Sequence, residues 1–230
     1  MSAHAILIVL VLFSRGVCGQ DRSLERRASD FDSKGVGLTE TLLKFSHQEH
    51  LPIAIEYIDR ASMDKPVEIS LRNKTVKQAL DSILLHGSGY SWSVRNGIIE
   101  ITNRHTSKRA EGQLNRVIPV FKIAEGETVQ VASMMLWWEL QMALDPKLRG
   151  GFGGHSMGKS STMKPATLHK RTVREILSYI VLNGGADGWI VAGPPECLGF
   201  TPYCGLWFLL EQDHDGLSDE LVLKRVRENL

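Results

Sequence analysis

The sequence predicts an α+β fold of two tandem small modules, each with two helices packed on small mixed β-sheets and a C-terminal hairpin. An internal repeat and the strand-like segments that flank both of its copies carry this prediction. The composition agrees, because 43% hydrophobic and 23% charged residues are ordinary for a globular chain of 230 residues. These values exclude a disordered or collagen-like chain.

The internal repeat aligns residues 75–94 with residues 172–191 without a gap. Eight of its twenty positions are identical at a constant offset of 97. The identical pairs are Thr75/Thr172, Val76/Val173, Leu80/Leu177, Ile83/Ile180, Leu85/Leu182, Gly87/Gly184, Trp92/Trp189 and Val94/Val191. In each copy, apolar residues at helical spacing precede a glycine and a period-two strand pattern.

Each repeat has a start and a stop signal for its helix. Thr75-x-x-Gln78 and Thr172-x-x-Glu175 are capping boxes, in which both side chains satisfy backbone N–H groups at the helix start. A glycine follows each helix, and we expect it to take the left-handed conformation that ends helices. The glycines are Gly87 and Gly184.

The strand after the first helix is expected to continue into a hairpin. Asn96-Gly97 favours a two-residue turn between paired strands. This turn sets Val94 opposite Ile99 and Trp92 opposite Ile101, with both pairs facing one core. The remaining predicted elements are helices over 38–49 and 128–144 and strands over 53–57, 67–71 and 166–168.

The chain divides into five segments. A signal peptide is expected over residues 1–19, because the nine-residue apolar run 5–13 is too short to span a bilayer and Val17-Cys18-Gly19 fits a cleavage site. The first module covers 30–103, a polar linker 104–113, the second module 114–212 and a polar tail 213–230. Export predicts a periplasmic or secreted protein; a lipoprotein attached through Cys18 is the alternative.

Three segments of the first module resemble the secretin and TonB short N-terminal domain: Phe31-Asp32, residues 38–57 and residues 67–102. They share an extended start, a helix with a Leu-x₃-Leu core, a strand before the helix NKTVKQAL, and an aromatic strand ending in a hairpin. The resemblance covers about a third of the chain, and the second module is similar only as a degenerate copy. It implies a protein-docking module of the bacterial envelope, of the kind found on outer-membrane secretins and receptors.

Charge and cysteine content limit the partners and cofactors. Loss of Arg15 with the signal peptide leaves 26 basic residues (27 minus one) against 26 acidic ones, which gives no electrostatic footprint for nucleic acid. Cys197 and Cys204 would then remain as a pair, which in an exported chain predicts a local disulfide. No third cysteine or histidine lies at ligand spacing nearby, so we expect no zinc there.

The glycine-rich loop 150–160 matches two catalytic patterns, a G-x-S-x-G serine elbow at Ser156 and a phosphate-binding loop ending in Lys159-Ser160. Both need a strand before the loop and a helix directly after it. The preceding residues DPKLRGG are not a strand, and Pro165 comes too soon for an ordinary helix. We therefore predict no catalytic residue, although His169, Asp187 and His214 remain conceivable triad partners.

The segment His47-Gln-Glu-His50 contains two histidines and a glutamate at the end of a predicted helix. Its spacing differs from the H-E-x-x-H zinc motif, because the glutamate is adjacent to the second histidine. A histidine at this end also complements the helix dipole. A structural role is therefore the expectation, and no metal site is predicted.

Two places are candidates for partner binding. Trp137 interrupts a polar stripe of helix 128–144, whereas Trp138 is expected in the core with Val131, Met135 and Met142. In the second module an excursion over 193–205 replaces the two-residue turn, and it would present Phe200 and Tyr203. Whether Trp137 is covered by the other module, or the excursion folds back on its own sheet, stays open.

The expected function is a non-enzymatic periplasmic docking module associated with outer-membrane secretin or TonB-type machinery. Its partner would be an envelope protein; no cofactor, nucleic acid or membrane span after signal cleavage is expected. Two alternatives remain: an envelope enzyme, either a serine hydrolase or a nucleotide binder using the 150–160 loop, and a small-ligand or glycan-binding module.

Overall fold

The computed structural model describes residues 24–58, 65–87, 89–103, 112–144, 161–192 and 207–211. The strands are β1 (Phe31–Gly37), β2 (Ile53–Ile58), β3 (Pro66–Leu71), β4 (Tyr90–Arg95), β5 (Ile98–Asn103), β6 (Val117–Ile123), β7 (Ala166–Thr172), β8 (Ala186–Ala192) and β9 (Trp207–Glu211). The helices are α1 (Leu38–Glu49), α2 (Val76–Leu84), α3 (Val129–Leu144) and α4 (Val173–Gly184). Within this part of the chain, no helix is long and apolar enough to cross a membrane.

The predicted α+β class is confirmed. Strands β1 and β3 form one two-stranded antiparallel ribbon, and β6 and β7 form another. The other five strands form one sheet in the order β4-β5-β2-β8-β9. The prediction of two tandem modules is not confirmed, because strands of both halves hydrogen-bond in a single sheet.

Strand β2 lies at the centre of this sheet and joins the two halves. It pairs parallel with β5, where Ile53 lies beside Ile99, and parallel with β8, where Ile53 lies beside Gly188. Strand β8 then pairs antiparallel with β9, which gives the second half the hairpin that the repeat predicts. The excursion 193–205 between these two strands lies outside the described residues.

Two hydrophobic cores cover the opposite faces of the five-stranded sheet. Ile53 and Ile55 of β2 belong to the first core, with α1 and α2, whereas Ala54 between them belongs to the second, with α3 and α4. Each core contains a residue of the other half: Ile190 of β8 lies in the first and Ile98 of β5 in the second. Successive side chains of β2 point to opposite faces, so the two sets of helices lie on opposite sides of one sheet.

Both predicted capping boxes are confirmed. In α2, the backbone N–H of Gln78 donates to Thr75 Oγ1 at 3.2 Å and the N–H of Thr75 to Gln78 Oε1 at 3.0 Å. In α4, the N–H of Glu175 donates to Thr172 Oγ1 at 3.2 Å and the N–H of Thr172 to Glu175 Oε2 at 2.8 Å. The repeat therefore encodes the same helix start twice.

The prediction of left-handed conformations at the repeated glycines is wrong. The left-handed residue after α4 is Gly185, with φ 75°, and the residue that caps α2, Leu85, is right-handed. The two glycines instead allow close packing, because a Cβ at Gly87 or Gly184 would lie 2.2 Å from a methyl group of Leu38 or Val129, respectively. These contacts are equivalent, since Leu38 begins α1 and Val129 begins α3.

The predicted Asn96-Gly97 hairpin is confirmed, with positive φ at both turn residues, as a two-residue turn requires. Its register sets Val94 opposite Ile99 and Trp92 opposite Ile101, as expected. Trp92 packs against the first core, but Val94 is exposed, so the prediction that both pairs face this core is wrong for Val94. Strand β4 lies at the edge of the sheet, where a side chain has a neighbouring strand on one side only.

Candidate functional site

A groove with a volume of about 580 Å³ lies between the β6–β7 ribbon and α3. The residues that line it are Val120, Phe121, Lys122, Met135, Glu139, Thr167 and His169. We refer to these seven residues as the ribbon groove.

Strand β6 supplies the inner side of the ribbon groove. Its Ile118, Phe121 and Ile123 are buried against α3 and α4, which fixes the ribbon on the second core. Val120 points outward, lies opposite His169 of β7 and is 43% exposed. The ribbon thus holds an apolar side chain in solvent beside a titratable one.

Helix α3 supplies the outer side, and its orientation differs from the expectation. Its buried apolar residues are Val129, Ala132, Leu136 and Leu140. Val131 and Met135, expected in the core, are exposed, and Met135 is 42% exposed in the groove. Because α3 is apolar around most of its circumference, periodicity does not decide which side packs inward.

Trp137 and Trp138 both lie half-buried on α3. Each has a contact partner, and neither lines the ribbon groove. The prediction that Trp137 binds a partner therefore stays a prediction. The other predicted site residues, Cys197, Cys204, Phe200 and Tyr203, lie outside the described residues, as do Ser156 and Lys159 of the 150–160 loop.

Of the conceivable triad partners, His169 and Asp187 lie in the described residues and belong to different parts of the fold. His169 lies in the ribbon groove, whereas Asp187 of β8 pairs with His47 of α1, with Nδ1 and Oδ2 3.6 Å apart. His214 lies outside the described residues.

The His47–His50 segment has a structural arrangement. Glu49 is buried, accepts the backbone N–H of Ser29 at 2.8 Å and pairs with Arg26. Burial alone would raise the pKa of Glu49, but the Ser29 N–H and the Arg26 guanidinium outweigh it and hold the pKa below the ordinary value. His50 caps α1 in the left-handed conformation, with φ 52°. Among the described residues, no group of three His, Cys, Asp or Glu side chains is placed to hold a metal ion.

Sequence reasoning missed a buried ionic cluster between the halves. Glu56 of β2, Glu100 of β5 and Arg174 of α4 are each 4% exposed or less. Arg174 Nη1 contacts Glu56 Oε1 and lies 3.4 Å from Glu100 Oε2. The available signal was a charged residue inside each apolar strand, IAIEYI and IIEITN, at positions that an exposed face would also explain.

Burial changes the titration of this cluster. It raises the pKa of Glu100 to about 7, although the neighbouring Arg95 guanidinium acts to lower it. Burial also lowers the pKa of Arg174 to about 10, so this guanidinium stays charged at neutral pH. The cluster therefore contains one firmly charged cation and one carboxyl that titrates near neutrality.

The two features differ in what they can do chemically. The ribbon groove is open to solvent and combines apolar side chains with a rim of Lys122, Glu139 and His169, which suits binding of another molecule's apolar side chains. The buried cluster is closed to substrates and lies where the halves meet. No family model, no curated protein and no solved structure matches this chain. The resemblance to the secretin and TonB short N-terminal domain therefore stays a prediction from the quoted residues.

Proposed function

We propose that this protein is a non-enzymatic periplasmic docking module that binds an envelope protein of outer-membrane secretin or TonB-type machinery. The observation that carries the proposal is the ribbon groove, where Val120 of β6 and Met135 of α3 are exposed to solvent. Apolar side chains grouped at one surface with a polar rim are typical of protein contacts. The proposed occupant is a segment of the partner that inserts apolar side chains between β6 and α3.

The surroundings of the groove support binding rather than catalysis. Lys122, Glu139 and His169 lie at the rim, and within the described part of the chain none of them is joined to another titratable group as a nucleophile and its base would be. The positive and negative charges of the rim can pair with charges of a bound segment and so fix its orientation.

The envelope assignment rests on the sequence. The apolar run 5–13 and Val17-Cys18-Gly19 support export, and the segments in 31–102 support the likeness to the short N-terminal domain. The observed order of elements in the first half, β1-α1-β2-β3-α2-β4-β5, agrees with the order of features on which that likeness rests.

A photo-crosslinking amino acid at position 120 in the producing cell tests the proposal. We expect a crosslinked product that contains an outer-membrane secretin or a TonB-type receptor. The variant Met135→Asp should reduce its yield about fivefold or more, because loss of an anchoring apolar side chain costs over about 1 kcal/mol of binding. The matched control is Leu182→Asp, since Leu182 is equally exposed but lies on α4 outside the groove.

A second variant separates the groove from the excursion 193–205. Replacing the excursion with Asn-Gly should preserve the fold, because the first half makes the same connection with two residues. If the crosslink at position 120 survives this replacement and is lost in Met135→Asp, the groove carries the contact. If the crosslink is lost only when the excursion is replaced, the contact is made by the excursion, with Phe200 and Tyr203 as the expected contact residues. A fluorophosphonate adduct at Ser156, or ATP binding lost in Lys159→Ala, would contradict a docking-only role.

A further inference from the structure

The buried cluster of Glu56, Glu100 and Arg174 joins elements of both halves. Glu56 and Glu100 belong to neighbouring strands of the first half, β2 and β5, and Arg174 belongs to the first turn of α4 in the second. The carboxylates lie on the face of the sheet that the second half covers. Separation of α4 from the sheet would expose all three groups to water.

The charges in the cluster do not balance among its buried members. Two buried carboxylates share one buried guanidinium, and Glu56 makes the closer contact with Arg174. Glu100 has a second cation, Arg95, but Arg95 is 52% exposed and its Nε lies 3.3 Å from Glu100 Oε2. Glu100 Oε1 and Glu56 Oε1 are both buried without a hydrogen bond of ordinary geometry among the described residues. Arg174 Nη1 contacts Glu56 but lies farther from Glu100, and the second cation of Glu100 is half-exposed, so the charge of Glu100 is the less closely paired inside the protein.

The groups that face Glu100 come from three packed elements. Arg95 reaches it from β4, Glu56 is the neighbouring carboxylate on β2, and Arg174 faces it from α4. Asn115, ahead of β6, is uncharged and accepts a hydrogen bond from Arg174 Nε at 3.4 Å. Helix α3 contributes the apolar side chains of Leu136 and Leu140 to the second core, which covers this face of the sheet. Within the described chain, the buried groups around Glu100 thus include a like charge and a shared cation.

We propose that this cluster is a pH-sensitive latch between the two halves, closed when Glu100 carries a proton and loosened when Glu100 ionises. A neutral Glu100 leaves Arg174 to pair with Glu56 alone, which balances the buried charge. An ionised Glu100 places a second negative charge beside the same guanidinium, in a site closed to water. Opening between α4 and the sheet hydrates that charge.

The titration of Glu100 agrees with this geometry and sets the direction of the effect. Burial raises its pKa from 4.5 to about 7. The folded protein therefore holds a proton that the unfolded chain has lost between these two values. The stability contributed by the protonated carboxyl is complete below the unfolded pKa and is lost as the pH rises through the folded pKa. The latch is thus closed in mildly acidic solution and loosened in mildly alkaline solution.

Urea unfolding of the full chain at pH 5 and pH 8, with and without Glu100→Gln, tests the latch. Glutamine keeps the shape of the protonated carboxyl but does not ionise. We expect Glu100→Gln to unfold at a clearly higher urea concentration than the parent at pH 8 and at nearly the same concentration at pH 5. Equal displacement of the two midpoints at both pH values would overturn the proposal.

Glu49→Gln is the matched control, because Glu49 is a buried carboxylate whose pKa is held low by Ser29 and Arg26. The stability that ionised Glu49 contributes to the fold is present above the unfolded pKa of Glu49 and is lost as the pH falls through its folded pKa. Glu49→Gln should therefore be less stable than the parent at both pH values, with the larger deficit at pH 8. A gain in stability for this variant at pH 8 would show that removing any buried carboxylate has the effect, and would overturn the latch.

Two further measurements keep the proposal testable if Glu100→Gln fails to fold. Hydrogen exchange, corrected for the intrinsic rate, should show α4 peptides opening more often at pH 8 than at pH 5, with a smaller change in β3 peptides. Arg95→Gln removes the half-exposed cation that lowers the pKa of Glu100, so it should move this α4 transition to higher pH. A transition that does not move, or that affects β3 and α4 equally, would contradict a latch between α4 and the sheet.

Discussion

Arg174 and Glu100 form an ion pair over 74 positions of sequence, with Arg174 Nη1 3.4 Å from Glu100 Oε2. Arg174 belongs to the second half and Glu100 to the first, so this buried pair crosses the boundary that the polar segment 104–113 suggests. Together with the β2–β8 pairing, it makes the two halves one packed unit.

Removal of Arg174 should be strongly destabilising. In Arg174→Met, Glu56 and Glu100 lose their buried cation, and we expect the free energy of unfolding to fall by about 3–5 kcal/mol at pH 8. Adding Glu56→Gln and Glu100→Gln should recover much of this loss. Urea unfolding measures both. Lys44→Met is the control, because the i,i+4 pair of exposed Lys44 with half-buried Glu40 on α1 contributes only about 0.5 kcal/mol or less. Equal losses in the two variants would contradict this role of Arg174.

A side chain at position 188 should disturb the junction of the halves. A Cβ at Gly188 would lie 2.0 Å from the carbonyl oxygen of Ile53, so β2 and β8 could not keep their spacing. We expect Gly188→Ala to lower the free energy of unfolding by about 1–3 kcal/mol in urea. Gly112→Ala, where no atom lies within 4 Å of the new Cβ, should change it little.

Loss of a capping hydroxyl should weaken α4. Thr172→Ala removes the acceptor for the Glu175 N–H and should cost about 1 kcal/mol, whereas Thr172→Ser keeps the oxygen and should cost less. The same pair of substitutions at Thr75 should give the same order. Thermal or urea unfolding measures all four variants, and an alanine variant as stable as its serine counterpart would show that the box contributes nothing.

Cys197 and Cys204 are predicted to be bonded in the exported protein. Closure of this short loop should stabilise the fold by about 2–3 kcal/mol in the chain-entropy model. Mass spectrometry of the exported chain after alkylation without reductant should find neither cysteine modified. Two alkylated cysteines would refute the bridge and weaken the case for export.

The local signals of the sequence predicted most of the secondary structure. Thr172 and Glu175 show why: a capping box is complete within four residues, so neighbouring side chains decide it. The Asn96-Gly97 turn is equally local, and it fixed the pairing of Trp92 with Ile101. These interactions need no information from the rest of the fold.

The features that the sequence did not predict depend on distant partners. The pairing of Ile53 with Gly188 joins residues far apart in the chain and leaves no local pattern. Glu100 can be buried because Arg174 pairs with it, and the sequence of the β4–β5 hairpin alone predicts a solvent-exposed Glu100. The face of α3 that packs was ambiguous, because Met135 and Leu136 are both apolar and only the fold decides which is covered.

The shared sheet is the central claim, and pulsed hydrogen exchange during equilibrium urea unfolding tests it most directly. Peptides from β5 and β8 report the first and second half separately, in the parent chain and in Gly188→Ala. If the sheet is shared, both peptides have one common midpoint, and Gly188→Ala moves it to lower urea for both. Two separate midpoints, with Gly188→Ala moving only that of β8, would contradict a shared sheet.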